Sequence, residues 1–163
     1  MAHPHRHEGI NYVGRETFLI TATTRDHIRV FEDIEFGREA IQLLFVAARS
    51  QKIAIPVCVY MPDHAHAVTV GTTATSDVRE FAYEWKKSTG YAWSSRGKGP
   101  LWDRGYWDSH LRSGSPIAGF IEYCVLNPVR ARLVEDPATY PLIASDQYTI
   151  EELVAFIRRP GQH

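Results

Sequence analysis

Two histidines one residue apart, His64 and His66, stand inside the otherwise apolar run VYMPDHAHAVTVG, Val59 to Gly71. In a strand, residues i and i+2 point to the same face. Both imidazoles then sit side by side, and two neutral imidazoles so placed can share a divalent cation. The other reading is a pair of core histidines, each satisfied by a hydrogen bond. A two-histidine metal site needs a further ligand from elsewhere. The segment FIEYCVLNPVR offers one: Tyr123 and Asn127 are four apart and share a helix face. Asn127 presents an amide oxygen to a hard metal, with Tyr123 about one turn, ~5–6 Å, from it. Read alone, Tyr123 is a packed phenol and Asn127 ends a helix before Pro128.

A second chemical signal is charge. Between Glu84 and Arg132 stand eight basic residues, Lys86, Lys87, Arg96, Lys98, Arg104, Arg112, Arg130 and Arg132, against four acidic ones. That segment carries +4 in a chain of net charge −1, so the remainder carries −5. The cations are interleaved with Trp85, Tyr91, Trp93, Trp102, Tyr106 and Trp107. Phosphates need positive charge and unpaired bases need stacking partners, so the mixture suits single-stranded nucleic acid. Lys86, Lys87, Arg96, Lys98, Trp102, Arg104, Arg112 and Arg130 are the expected contacts. A solvated charged face is the plainer alternative.

The elements that must hold these residues can be read from periodicity. ETFLITATT, residues 16–24, predicts a strand, and EFGREAIQLLFVAARSQ a helix with Ala40, Leu43, Leu44 and Ala47 on one face. IAIPVCVY predicts a second strand, where Pro56 implies an edge or a bulge. MPDH turns the chain into a third strand, HAHAVTV. A second helix follows, with Ser76 as expected N-cap and Val78, Phe81, Ala82 and Trp85 as its buried stripe. LWDRGYWDSHLR predicts a fourth strand with a bulge at Gly105. SPIAGFIEYCVLNPVRARLV predicts a third helix that Pro128 kinks or ends, with Ile117, Phe120, Ile121 and Cys124 facing the core. TIEELVAFIRR closes the chain as a short helix. The order β-α-β-β-α-β predicts an α+β fold: a ferredoxin-like split βαβ sheet with helices on one face, plus a C-terminal helix.

The 163 residues, 44% hydrophobic, suffice for one domain, 1–163, with residues 1–13 expected as a flexible polar leader. His3, His5 and His7 in that leader are three of the eight histidines. No apolar run reaches the length of a membrane span, and the stretch MAHPHRHEG lacks the apolar segment expected of a secretory signal. Cys58 and Cys124 form no CxxC pair and no disulfide framework, which fits a reducing cytoplasm.

MPDHAHAV resembles the histidine–hydrophobic–histidine (HUH) motif of single-strand DNA nucleases. LWDRGYWDSHLRS and FIEYCVLNPVRARLVEDPATYPLIAS resemble the second half of the IS200-like single-tyrosine transposases, closest to their REP-associated branch. The resemblance spans residues 14–145. It implies metal ligation by His64 and His66, a nucleophilic Tyr123, and a third ligand at Asn127, where the family places a polar residue. The small Ala65 fills the hydrophobic middle of the motif, and Leu142 and Ile143 replace a more usual aromatic–serine ending.

The implied activity is nicking and rejoining of single-stranded DNA, near hairpins, with Mg²⁺ or Mn²⁺ and a 5′-phosphotyrosine intermediate. Insertion-sequence members work as homodimers with exchanged tyrosine helices, while REP-associated relatives need not. Two other functions stay open on the residues alone. One is a catalytically silent module that grips hairpin DNA or RNA. The other is a metal-dependent phosphoesterase acting on nucleotides, which would not need Tyr123.

Overall fold

The computed structural model describes residues 9–159. A five-stranded antiparallel sheet is built from β1 (Thr17–Thr23), β2 (Ile53–Met61), β3 (His64–Gly71), β4 (Trp107–Leu111) and β5 (Ile143–Ala144). Its order is β4-β1-β3-β2-β5. The helices are α1 (Ile34–Ser50), α2 (Val78–Ser94), α3 (Ala118–Arg130) and α4 (Ile150–Ile157). The first four strands with α1 and α2 form the split βαβ arrangement: β3 lies between β1 and β2, and β4 returns to the free edge of β1.

Strand alternation divides the core in two. Phe18, Ile20 and Ala22 of β1, Cys58 and Tyr60 of β2, and Ala65 and Ala67 of β3 pack under α1 and α2. Val57, Val59, Met61 and Val68 point to the opposite face and pack under α3 and α4. The expectation of helices on one face is therefore corrected. It holds for the two crossover helices, but the apolar stripes of α3 and α4 cover the other face. Ile121, Cys124 and Val125 form the buried stripe of α3, with Ile117 and Phe120 half-buried at its margin.

Local chemistry fixes the element ends. Asp33 caps α1 by accepting from the Phe36 amide at 3.0 Å. Asp77, not Ser76, caps α2, through the amides of Arg79 and Glu80. Ser76 is buried one residue earlier, where its hydroxyl donates to the Lys52 carbonyl and accepts from the amides of Thr72 and Thr73. Pro56 sits where the β2–β3 register shifts between Ala54 and Val57, the bulge its missing N–H demands. Gly105 lies in the bend before β4, with φ 71°, rather than inside the strand. α3 runs through Pro128 and ends two residues later, at Arg130. β5 is two residues long, too short for a periodicity to announce it.

Tyr12 is buried and stacks on Phe18 at 5.2 Å, and Val13 bridges to Asp77. These two residues belong to the packed body rather than to the leader. His3, His5 and His7 lie outside the described residues.

Candidate active site

The β2–β3 hairpin turns on Pro62 and Asp63, with Met61 opposite His64. The turn is held from outside. The Thr24 amide and hydroxyl donate to the Asp63 carbonyl at 2.9 and 3.0 Å, and the Phe31 amide donates to the Pro62 carbonyl at 3.0 Å. His64 and His66 follow on the face covered by α3, because the neighbouring Ala65 and Ala67 point to the α1–α2 side. Their rings are 4.9 Å apart and near perpendicular.

Each imidazole is oriented through Nδ1. His64 Nδ1 is 2.7 Å from Asp63 Oδ1, and His66 Nδ1 is 2.7 Å from Thr21 Oγ1 on β1. His27 approaches the other Asp63 oxygen at 3.5 Å. Pinning Nδ1 leaves Nε2 as the nitrogen available on each ring, the usual arrangement behind a metal-bound histidine. His66 Nε2 is buried and has no hydrogen-bond partner among the described residues, a costly condition that a ligand to that nitrogen would relieve.

Burial, with the adjacent His64, pushes the His66 pKa down from 6.5 to about 3, so the ring is a neutral donor at neutral pH. Partial burial pulls the Asp63 carboxyl upward. The hydrogen bond and charge of His64, with His27 beyond, outweigh it and hold the group below its ordinary value.

Across this pair, the Tyr123 ring meets His66 edge-on at 5.2 Å. Tyr123 is 39% exposed, so its ring is reachable from solvent. Arg130, nearly two turns further along α3, lies over the Tyr123 ring at 5.5 Å and donates to its carbonyl at 3.4 Å. Asn127 is half-buried on the turn between them. Among the described residues, no three His, Cys, Asp or Glu side chains cluster as a metal site. The groups that could serve a cation here are the two imidazoles, with the Asn127 amide on the facing helix α3.

Tyr60 invites comparison as a rival nucleophile because it also lies on the histidine hairpin. It is fully buried on the opposite side of the sheet. Its hydroxyl donates to the Ala40 carbonyl at 3.1 Å and accepts from Trp85 Nε1 at 2.8 Å. Burial holds its pKa well above the usual value. Tyr140 braces the hairpin by donating to the Tyr60 carbonyl at 2.7 Å.

Most of the basic, aromatic segment lies away from the histidine site. Only Arg130 reaches Tyr123. Trp102 is a core residue, buried with Nε1 donating to Thr89 Oγ1 at 2.8 Å, rather than an open stacking surface. Lys86 is partly buried and donates to the Asp103 and Gly105 carbonyls, so it fastens the chain leading to β4. Arg96 pairs with Glu39 and lies over Phe36 at 4.9 Å. Lys87, Lys98, Arg104 and Arg112 are exposed.

Two residues of the neighbourhood were not singled out from sequence, and a third, Trp107, was named there only among the aromatics of the basic segment. Thr21 and Asp63 orient the imidazoles, and Trp107 pairs with Thr21 across β4–β1, so it shares the histidine face at 53% exposure. Asp63 carries a sequence signal, adjacency to His64. The role of Thr21, and the place of Trp107 on the histidine face, become visible only once the strand register is known.

Neither a family model nor a curated protein matches the chain. Solved structures do. A REP-associated tyrosine transposase bound to a REP hairpin superposes with a TM-score of 0.70 at 20% identity, over 88% of this chain and 82% of that one. A candidate transposase from Deinococcus radiodurans superposes with a TM-score of 0.52 at 18% identity, over 78% of this chain and 92% of that one. At these identities the likeness establishes a shared fold. No helix among the described residues is long and apolar enough to cross a membrane.

Proposed function

We propose that this chain is a metal-dependent, single-tyrosine nicking and rejoining enzyme of the transposase type, acting on single-stranded DNA at hairpins. One observation carries the reading. A solvent-reachable tyrosine ring lies 5.2 Å from a histidine whose outer nitrogen is buried, neutral and unpartnered, on a strand that offers a second histidine beside it. In a pair of purely structural histidines that nitrogen is ordinarily hydrogen-bonded. The hairpin-bound neighbour lends support by sharing the fold.

His64 and His66 would hold a divalent cation through Nε2, with Asn127 as the third ligand. Two imidazole nitrogens favour Mn²⁺ over Mg²⁺, which prefers an all-oxygen shell. Bound there, the cation would polarise a phosphate oxygen of the DNA.

The residues of the chain do the rest. Asp63 and Thr21 hold both rings in the ligating tautomer. Arg130, stacked over Tyr123, restrains the phenol and sets a positive charge beside an incoming phosphate. The Tyr123 oxygen forms a bond to phosphorus while the bond from phosphorus to the 3′-oxygen breaks. The phenolic proton passes to solvent, and the departing 3′-oxygen ends as a hydroxyl. The product is a 5′-phosphotyrosine, and attack by a 3′-hydroxyl reverses the step. One phosphodiester is exchanged for another, so no nucleotide cofactor is consumed.

The test is incubation with hairpin-bearing oligonucleotides and Mn²⁺, followed by peptide mapping of any species that survives denaturant. A nucleotide on Tyr123 is the expected result. Cleavage with no covalent protein–DNA species would mean a water nucleophile, and the tyrosine mechanism would fall.

A further inference from the structure

On the sheet face opposite the histidines, α2 and the chain from Lys98 to Tyr106 enclose an open groove of about 810 Å³. Four cations line it, Arg79, Lys86, Lys87 and Lys98, against one carboxylate, Asp103. That carboxylate is already paired with Arg25 at 3.4 Å. Tyr83 stands one helical turn from Lys87, whose ammonium lies 5.4 Å from its ring centroid. Tyr83 is 58% exposed and Lys87 projects into solvent. Clustered cations beside one open aromatic ring, Tyr83, fit an anionic chain carrying flat, unpaired bases.

The groove and the histidine site share one border, the β4 edge. Tyr106 lines the groove and packs against the α1–α2 core. Trp107, the next residue, faces the other way, because it pairs with Thr21, whose hydroxyl holds His66. Among the described residues β4 has only β1 as a neighbour, so no described strand covers this edge. Arg104 and Arg112 are exposed at its two ends. Lys86 secures the rim by donating to the Asp103 and Gly105 carbonyls.

We propose that the α2 groove is a second subsite for single-stranded DNA. It holds the strand that flanks the reacting phosphate, and that strand crosses the β4 edge over Trp107 to reach Tyr123. This rests on the DNA reading above and extends it by assigning a path and a polyanionic occupant to a face remote from the chemistry. The two aromatics at the crossing, one on each side of the edge, let a base stack before and after the turn. Non-specific backbone contact in the groove would hold substrate without reading its sequence.

The experiment uses the full chain without metal, so that binding is read apart from cleavage. Fluorescence anisotropy is measured with hairpin oligonucleotides bearing no flank and progressively longer single-stranded flanks. Affinity of the unaltered protein is expected to rise with flank length and then level off. Lys87→Gln with Lys98→Gln, both at exposed positions, is expected to remove most of that rise. It should also lower the salt slope by up to roughly 0.7 per lysine. Trp107→Ala is expected to weaken binding of flanked DNA roughly tenfold, and that of unflanked hairpins far less. Flank dependence and salt slope unchanged in the lysine variant would overturn the subsite while leaving the tyrosine reading intact. An unaltered protein that binds no DNA at all would overturn the nucleic-acid reading itself.

Discussion

His66 and Tyr123 meet edge to face across the gap between β3 and α3, ring centroids 5.2 Å apart and planes at 77°. They are 57 residues apart in the chain, and neither local periodicity nor any turn brings them together. The contact exists because β3 places His66 on the face that α3 covers. Tyr123 lies beside the buried stripe of Ile121, Cys124 and Val125 rather than within it.

Tyr123→Phe removes one oxygen from a partly exposed ring and little else, so stability should change by less than about 0.5 kcal/mol. Edge-on packing with His66 is kept. Hairpin affinity is expected to match the unaltered protein, and strand cleavage to vanish. Robust cleavage by this variant would remove Tyr123 from the chemistry.

Loss of either imidazole should abolish metal binding without unfolding the protein. His64→Ala leaves a half-buried position, while His66→Gln keeps much of the volume of a buried one. Titration calorimetry with Mn²⁺ is the measurement. Affinity equal to the parent in both variants would show that these rings hold no cation.

How much of this was legible beforehand follows from the range of the forces involved. The histidine pair could be read because a period of two within one strand is a local property. The Tyr123–Asn127 relation could be read because i and i+4 share a helix face. The site therefore emerged as two fragments, a strand pair and a helix pair. What joins them is the face on which α3 packs, a tertiary choice; from the order of elements, the helices were expected on one side only. The charged segment divides for a related reason. Counting cations cannot tell Arg130, beside Tyr123, from Lys86, tied down by two carbonyls, or Trp102, sealed against Thr89. Asp77 displaced Ser76 as the helix cap because the Ser76 hydroxyl is consumed by Lys52 and the turn at residues 72–73.

The orienting partners should matter for metal affinity through the rings they hold. Thr21→Val keeps the β-branched shape and deletes the hydroxyl that fixes His66. Asp63→Ala deletes the acceptor at His64, while Asp63→Asn restores an oxygen without its charge. A loss of roughly 10–100-fold in Mn²⁺ affinity is expected for Thr21→Val and Asp63→Ala, with partial recovery in Asp63→Asn. A merely structural role would instead lower the thermal midpoint and leave affinity alone.

The depressed His66 pKa has a consequence for acid stability. In the unfolded chain the ring takes a proton near 6.5, whereas in the metal-free fold it resists protonation down to about 3. Between those values the unfolded state binds more protons. Stability is therefore fully retained above about 6.5 and is lost progressively as pH falls toward 3. Denaturation midpoints with a chelator present should drop over that window. The drop should be shallower in His66→Gln, which has no proton to take up. An identical slope in the variant would assign the acid sensitivity to other groups.

Tyr60 provides the control for the nucleophile, since it too lies on the histidine hairpin. Its hydroxyl is sealed on the far side of the sheet, accepting from Trp85 Nε1 and donating to the Ala40 carbonyl. Tyr60→Phe leaves the Trp85 Nε1–H without its acceptor in the core, while the Ala40 carbonyl keeps its bond within α1; the loss should cost about 1–3 kcal/mol. The cost falls on the packing of α1 and α2 against the sheet, away from the face that holds His64, His66 and Tyr123. Below its lowered melting temperature, the variant should still cut hairpin DNA and still form the covalent species. The two tyrosines thus make opposite demands: Tyr123→Phe should keep stability and lose cleavage, while Tyr60→Phe should lose stability and keep cleavage. Thermal melts and adduct assays on the same two proteins measure both. Loss of the adduct in folded Tyr60→Phe, with the adduct retained in Tyr123→Phe, would reverse the assignment and place the reaction on the α1–α2 side of the sheet.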